Sequence, residues 1–294
     1  MDVFVAVVVS GLTNGALYAL ATLGLALVWG SMGMLNMAHG AMLALGGYVV
    51  FSVSTTLGLP IWLAILAAAA AGALFGGLLY LLIVRPLLRH GGRGFETSVM
   101  IATVGVSIAL QNAILLTYGG QPLRQPFAFG GAIQLGQGVM PLLNVTIVVV
   151  SLLVMAVLGL LISRTRMGRA IRATAQNREA AQLMGVPVER TYLQVLGLSG
   201  ALAGICGVLL SAVTQLSPTL GADPMLKAFI MCVVAGLGNL PGAVIAAFGL
   251  ALIEAAVQFS FGARWGFPVL LMLVIAILIW RPTGLFGRAT IRRM

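Results

Sequence analysis

The chain is 294 residues long, 61% hydrophobic and only 7% charged, with a formal charge of +10 and 38 glycines. A soluble domain carries about 25% charged residues, so this much apolar surface excludes a water-soluble fold and makes lipid the main solvent. The arginines stand in short blocks between apolar runs, which is how membrane topology is written and not how nucleic acid is bound.

A spanning helix needs about 20 apolar residues. The chain supplies such runs at roughly 3–29, 38–56, 61–84, 97–118, 142–163 and 192–214, then at 227–240, 242–260 and 266–281. The runs are continuous rather than alternating, which argues against a β-barrel. The expected fold is all-α: one polytopic transmembrane domain over 1–294, a bundle of about 8–9 spans with a short cytoplasmic coupling helix.

The first run, Val3–Trp29, has no basic region before it and is too long for the apolar core of a signal peptide, so it reads as a retained span. Gly11 and Gly15 within it hold the G-x-x-x-G spacing of packed helices, a reading preferred over pore lining. Asn36 and His39 follow it, and Gln111 and Asn112 sit in the fourth run. Polar groups are costly in lipid and turn toward a bundle interior or a cavity. These four are candidates for a solute pathway, with interhelical hydrogen bonding as the competing role, favoured for His39. Cys206 and Cys232 fall in apolar segments without metal-ligand spacing and read as small buried hydrophobes.

Arginine placement sets orientation. Thirteen of sixteen basic residues fall in three blocks: Arg85, Arg89 and Arg93; the six from Arg164 to Arg190; and Arg281, Arg288, Arg292 and Arg293. The positive-inside rule puts these blocks and the C-terminus in the cytoplasm, and the loops 119–141 and 215–226 outside. The side of the N-terminus depends on whether 30–40 is a re-entrant segment.

The central block is a polar island. Within 164–190, Met167, Ala170, Ile171 and Thr174 alternate with Arg166, Arg169 and Arg172, the pattern of a helix lying on an anionic lipid surface. Asn177 is placed to cap a second helix with Glu179 in its first turn; Gly185 supplies a left-handed C-terminal position and Pro187 stops continuation. The result is a helix of about two turns. Its Ala180, Ala181 and Gly185 are expected to leave a smooth surface for a partner. Glu179-Ala180-Ala181-Gln182-Leu183-Met184-Gly185 resembles the E-A-A-x-x-x-G arrangement by which importer permeases dock onto an ATPase, the alternative being an ordinary basic loop.

Further on, Gly236-Leu237-Gly238-Asn239-Leu240-Pro241-Gly242 is either a broken-helix element that offers backbone amides to a solute carboxylate or a tight turn between helices. Glu254 is either paired with Lys227 or Arg264, reached by water, or part of a proton relay. Lys227, the single lysine, follows Leu226 and not glycine, so a phosphate-binding G-x-x-x-x-G-K-[ST] loop is impossible here. No catalytic set, metal site or cofactor motif can be assembled from the sequence.

Over nearly its whole length the chain resembles the LivH-type permeases of branched-chain amino-acid ABC importers. The motifs in order are Gly11-Leu12-Thr13-Asn14-Gly15-Ala16-Leu17-Tyr18, Asn36-Met37-Ala38-His39-Gly40, Thr103-Val104-Gly105 with Gln111-Asn112, the island, Gly236-Leu237-Gly238 with Pro241-Gly242-Ala243, and Arg281-Pro282-Thr283-Gly284-Leu285-Phe286-Gly287. Met37 replaces the family's usual phenylalanine, and Ala235 stands where glycine is more usual. Val195-Leu196-Gly197-Leu198 occupies the place of the broader importer signature's I-x-L-P, a departure that matches the LivH branch.

The resemblance implies a non-catalytic translocation subunit in a bacterial inner membrane. It would pair with a LivM-like permease, two cytoplasmic ATPases and an extracytoplasmic binding protein. It assigns ATPase coupling to Arg172, Asn177, Glu179, Ala180, Ala181 and Gly185, and the pathway to Asn36, His39, Gln111, Asn112, Gly236 and Gly238. Branched-chain amino acids are the implied cargo; other amino acids, short amides or urea are the alternatives, and a stand-alone channel or carrier is disfavoured by the scarcity of intramembrane charge.

Overall fold

A computed structural model describes residues 2–90, 94–125, 131–135 and 138–287. Arg93, Arg288, Arg292 and Arg293 of the basic blocks, and 126–130 and 136–137 of the loop 119–141, lie outside the described residues. The elements in order are α1 (Asp2–Met32), α2 (His39–Thr56), α3 (Ile61–Leu79), α4 (Arg85–His90), α5 (Phe95–Tyr118), a hairpin of β1 (Ala132–Leu135) and β2 (Gly138–Pro141), α6 (Leu142–Arg164), α7 (Arg166–Gln176), α8 (Arg178–Leu183), α9 (Val188–Val213), α10 (Ala222–Ala235), α11 (Leu240–Phe261) and α12 (Gly266–Trp280). A π-helical turn, Tyr80–Val84, joins α3 to α4, and a 3₁₀ turn, Ala263–Trp265, precedes α12.

Seven of the described helices are long and apolar enough to cross a membrane, which makes this a multi-pass membrane protein. Two of the nine sequence-predicted runs do not stand among them. The run at 227–240 is α10, a helix of 14 residues that begins earlier, at Ala222, and stops at Gly236, where φ is +91°. The run at 38–56 is α2, whose 18 residues carry His39, three glycines and several hydroxyl groups. Each buries half or more of its residues inside the bundle, where His39 finds the Ala21 carbonyl of α1 and Lys227 finds Tyr18 of α1 and Glu254 of α11. The small β1–β2 hairpin, with Ala132 opposite Pro141, departs from an all-helical chain.

Two triplets of helices, α1–α2–α3 and α9–α10–α11, run in opposite directions and interlock. α1 packs along α11 and α9 along α3. Each seam is built on glycines, as helix association in lipid rests on close backbone approach rather than on hydrophobic force. Gly11 and Gly15 of α1 accept Leu252 and Phe248 of α11, so their spacing marks packing. On the other seam, Gly72 and Gly76 of α3 face Gly200 and Leu196 of α9, and Gly204 of α9 sits between Ala68 of α3 and Gly46 of α2.

The middle member of each triplet is a partial helix. After Met32 the chain turns at Gly33 (φ +66°) and 34–38 re-enters the bundle, so that His39 lies beside Ala21. Ala21 is eleven residues inside α1, about 16 Å from its end at 1.5 Å per residue. The stretch 214–221 enters from the other end in the same way, and Gly221 at the start of α10 lies against the carbonyl oxygen of Gly40 at the start of α2. The two partial helices thus begin back to back deep inside the bundle and run to opposite ends.

Candidate functional site

Arg85, Arg89, Arg164–Arg178, Arg190 and Arg281 gather at one end of the bundle. There Glu189, at the start of α9, holds α4 by ion pairs of 2.9 Å to Arg85 and 2.8 Å to Arg89. The N-terminal end of α1 lies at the opposite end, because the last turn of α1 adjoins the α7–α8 junction.

At this basic end α7 folds back under α6. The Thr165 hydroxyl accepts from the Gly168 N–H at 3.1 Å, and a Cβ at Gly168 would overlap the Ile162 carbonyl, so glycine lets the two helices touch. Ile171 and Thr174 turn inward while Arg166, Arg169 and Arg172 face out, as an amphipathic surface helix requires. Arg172 donates to the Ile162 carbonyl oxygen.

α8 is fixed at both ends. Asn177 Oδ1 accepts from the Ala180 N–H at 3.0 Å, and Glu179 sits in the first turn. At the other end Gly185 has φ +83°; its N–H bonds the Gln182 carbonyl and the Val186 N–H bonds that of Ala181, each at 3.0 Å, which is the Schellman closure. The smooth face expected of Ala180, Ala181 and Gly185 is divided: Ala181 is buried against its own chain, whereas Leu183 and Met184, 88% and 85% exposed, form the outward apolar surface. Sequence reasoning missed this pair, although Leu183-Met184 is the only pair of large apolar residues in the capped turn.

Behind α8 the island touches the bundle. A cavity of about 470 Å³ is lined by the last turn of α1, Glu96 of α5, Thr174–Arg178, Tyr192 and Leu237. Arg178 lies over the Tyr192 ring at 5.9 Å. Leu237 belongs to the α10–α11 turn, in which Gly236 and Gly238 both have positive φ, +91° and +86°. Gly236 packs on Gly284 and Gly287, and Gly238 packs on Gly30. The C-terminal segment closes over this turn: the Leu285 N–H bonds the Val234 carbonyl at 2.7 Å, and Asn239 Nδ2 donates to the Phe286 carbonyl at 2.9 Å. The glycine break joins α10 to α11 as a packed turn, with Gly238 also lining a second cavity beside it. This cavity, about 520 Å³, has Arg172, Ser163 and Asn239 at its polar end and Leu23, Met155, Leu158 and Val244 along its wall.

The polar pathway candidates separate into two sorts. His39 is fully buried, its Nε2 3.1 Å from the Ala21 carbonyl oxygen and its Nδ1 3.5 Å from Ser199 Oγ, which in turn donates to the Gly24 carbonyl. Asn36, equally buried, accepts from the Ala38 N–H and shapes the entry to α2. Thr103 Oγ1 accepts from the Met37 N–H at 3.1 Å and ties α5 to the same stretch. These side chains hold the re-entrant segment in place. Gln111 and Asn112 lie elsewhere, on α5, which buries only Val99, Thr103 and Ile114; Asn112 is exposed and bonds its own helix at Ile108. The structure brings neither of them to Asn36 or His39.

Of the partners open to Glu254, Lys227 is the one it takes. Lys227 Nζ donates to Glu254 Oε1 and to the Tyr18 hydroxyl, each at 2.9 Å, and pairs with Asp223 at 3.2 Å. Gln258 Nε2 also donates to Glu254 Oε1. Lys227 and Glu254 are buried, and this cluster joins α1, α10 and α11. Cys206 and Cys232 are both buried free thiols.

A family model described as branched-chain amino acid transport system / permease component matches residues 7–284. The chain is 34% identical over 300 residues to the high-affinity branched-chain amino acid transport system permease protein BraD of Pseudomonas aeruginosa, covering 97% of this chain and 96% of that one. It is 31% identical over 299 residues to the corresponding protein LivH of Escherichia coli K12, covering 97% and 96%. A probable branched-chain amino acid transport permease protein LivH of Methanocaldococcus jannaschii is 29% identical over 283 residues, covering 92% and 89%.

Proposed function

The chain belongs to the branched-chain amino acid transport system permease family, and from that premise we propose that it is the membrane-spanning permease subunit of an ATP-driven importer that carries branched-chain amino acids into the cytoplasm. ATP is hydrolysed on separate subunits, since this sequence has no phosphate-binding loop. A second, related permease, two ATPases and an extracytoplasmic binding protein complete the machine. The basic end is cytoplasmic, in a bacterial inner membrane, which puts the start of α1 outside and the C-terminus inside.

The observation that carries the reading is α8. A six-residue helix has too few internal hydrogen bonds to persist alone, yet this one is capped at both ends and presents Leu183 and Met184 to the surroundings. Such a rigid apolar knob among arginines suits a cleft on a cytoplasmic protein. Movement of α8 passes to the bundle through its packing on α7 and α9.

The experiment is uptake of radiolabelled leucine and binding-protein-stimulated ATPase activity in proteoliposomes holding the complete importer. Leu183→Asp with Met184→Asp, or Glu179→Arg, is expected to abolish both while the permease pair still inserts. Undiminished uptake and ATPase activity in all of these variants would remove α8 from the coupling path. Competition binding to the cognate binding protein fixes which amino acids are carried.

A further inference from the structure

Far from α8, in the half of the bundle opposite the arginines, a cavity of about 290 Å³ lies between α1, the end of α9 and the first turn of α10. It falls just below the roughly 300–1,000 Å³ of pockets for drug-sized molecules, so its occupant is smaller. Leu17, Leu210, Val213 and Leu220 give it an apolar wall. Asn14, Tyr18, Thr214 and Asp223 give it a polar one.

The polar wall has unused capacity. Lys227 is saturated, its three donors directed at the Tyr18 hydroxyl, Glu254 and Asp223 Oδ2. Asp223 meets Lys227 through Oδ2 alone, and its Oδ1 has no hydrogen bond or ion pair among the described residues. The Asp223 side chain is 67% exposed. The Tyr18 hydroxyl accepts from Lys227, which leaves its own proton to give. The side chain of Asn14, half-buried, has no hydrogen bond among the described residues. One wall thus offers a charged acceptor and two donors, and the facing wall offers branched aliphatic side chains.

That set is the complement of a zwitterionic amino acid with an aliphatic side chain. We propose that this cavity is a substrate subsite of the permease. Asp223 receives the α-ammonium, Tyr18 O–H and the Asn14 amide hold the carboxylate, and the side chain rests on Leu17, Leu210, Val213 and Leu220. The position fits: the cavity adjoins the stretch that breaks α9 from α10, at the interface of two oppositely directed triplets, where transporters place their cargo. The proposal rests on the amino-acid importer reading.

The test uses the complete importer in proteoliposomes. Asp223→Asn is expected to lower leucine uptake at least about tenfold, the loss of some 1.4 kcal/mol of binding, with binding-protein-stimulated ATPase activity retained. Wild-type uptake in the variant would overturn the subsite and leave the importer reading standing. An unmodified importer that takes up no branched-chain amino acid would instead overturn that reading. If Asp223→Asn fails to assemble, Val213→Phe decides, because it narrows only the apolar wall. Leucine uptake should then fall relative to valine by about tenfold, a size discrimination of the order a hydrophobic pocket gives per methylene. An unchanged leucine-to-valine ratio would overturn the proposal.

Discussion

Gly40 and Gly221 meet main chain to main chain: a Cβ built on Gly221 would overlap the carbonyl oxygen of Gly40, and these two residues open α2 and α10. The contact is where the two partial helices are locked together. Gly221→Val is therefore expected to destabilise the bundle by at least about 1–3 kcal/mol, the cost of overpacking a filled interior. Gly249→Ala, inside α11 where an added Cβ meets nothing within 4 Å, serves as the control and should leave stability unchanged or raise it by up to about 1 kcal/mol. Thermal unfolding of the purified chain in detergent, followed by size-exclusion chromatography, distinguishes them; equal midpoints would show that the helices do not depend on this contact.

The Lys227–Glu254 pair makes a different kind of prediction. Removing one partner of a buried ion pair strands the other charge, at roughly 3–5 kcal/mol, whereas replacing both with apolar residues is often neutral. Lys227→Met should thus cut the unfolding midpoint sharply, and Lys227→Met with Glu254→Leu should recover most of it. A double variant as unstable as the single one would mean that Lys227 matters for its bonds to Tyr18 and Asp223 rather than for its charge.

Most of the long helices, the capped turn at Asn177 and the left-handed Gly185 were legible in the sequence, because each depends on local pattern alone. The partial helices were not. Hydropathy counts apolar residues and cannot tell a segment that crosses lipid from one buried inside the bundle, so α2 and α10 read as spans. The inverted relation of the triplets left only faint marks, among them Gly40-Ala41 and Gly221-Ala222 at the start of each partial helix. The roles of His39 and Gln111 depend on what lies across the bundle, and nothing in their own neighbourhood encodes that. Lys227 and Glu254 were each visible as costly charges, but their union with Tyr18, 209 residues from Lys227 in sequence, is a property of the fold.

Gly238 was open to two readings, solute contact or turn, and its surroundings sharpen the expectation. Its φ of +86° is strained for any other residue, and an added Cβ would press on Gly30 Cα. Gly238→Val is expected to abolish assembly with the partner permease as well as uptake, seen by co-purification from membranes. Lost uptake with intact assembly would return the residue to the solute path.

Asn177 allows coupling to be separated from folding. Its side chain caps α8 and is itself exposed, so Asn177→Ala should cost about 1 kcal/mol of local helix stability while the unfolding midpoint of the bundle stays within error. A frayed α8 would no longer hold Leu183 and Met184 in a fixed place, and a push from an ATPase would be lost in local disorder. The expected outcome is fewer leucine molecules imported per ATP hydrolysed, measured together in proteoliposomes. Asn177→Asp should restore the ratio, because aspartate caps equally well and its charge suits the positive end of the helix dipole. If alanine and aspartate give the same ratio as asparagine, the capped turn is a structural connection between α7 and α9, and force enters the permease elsewhere.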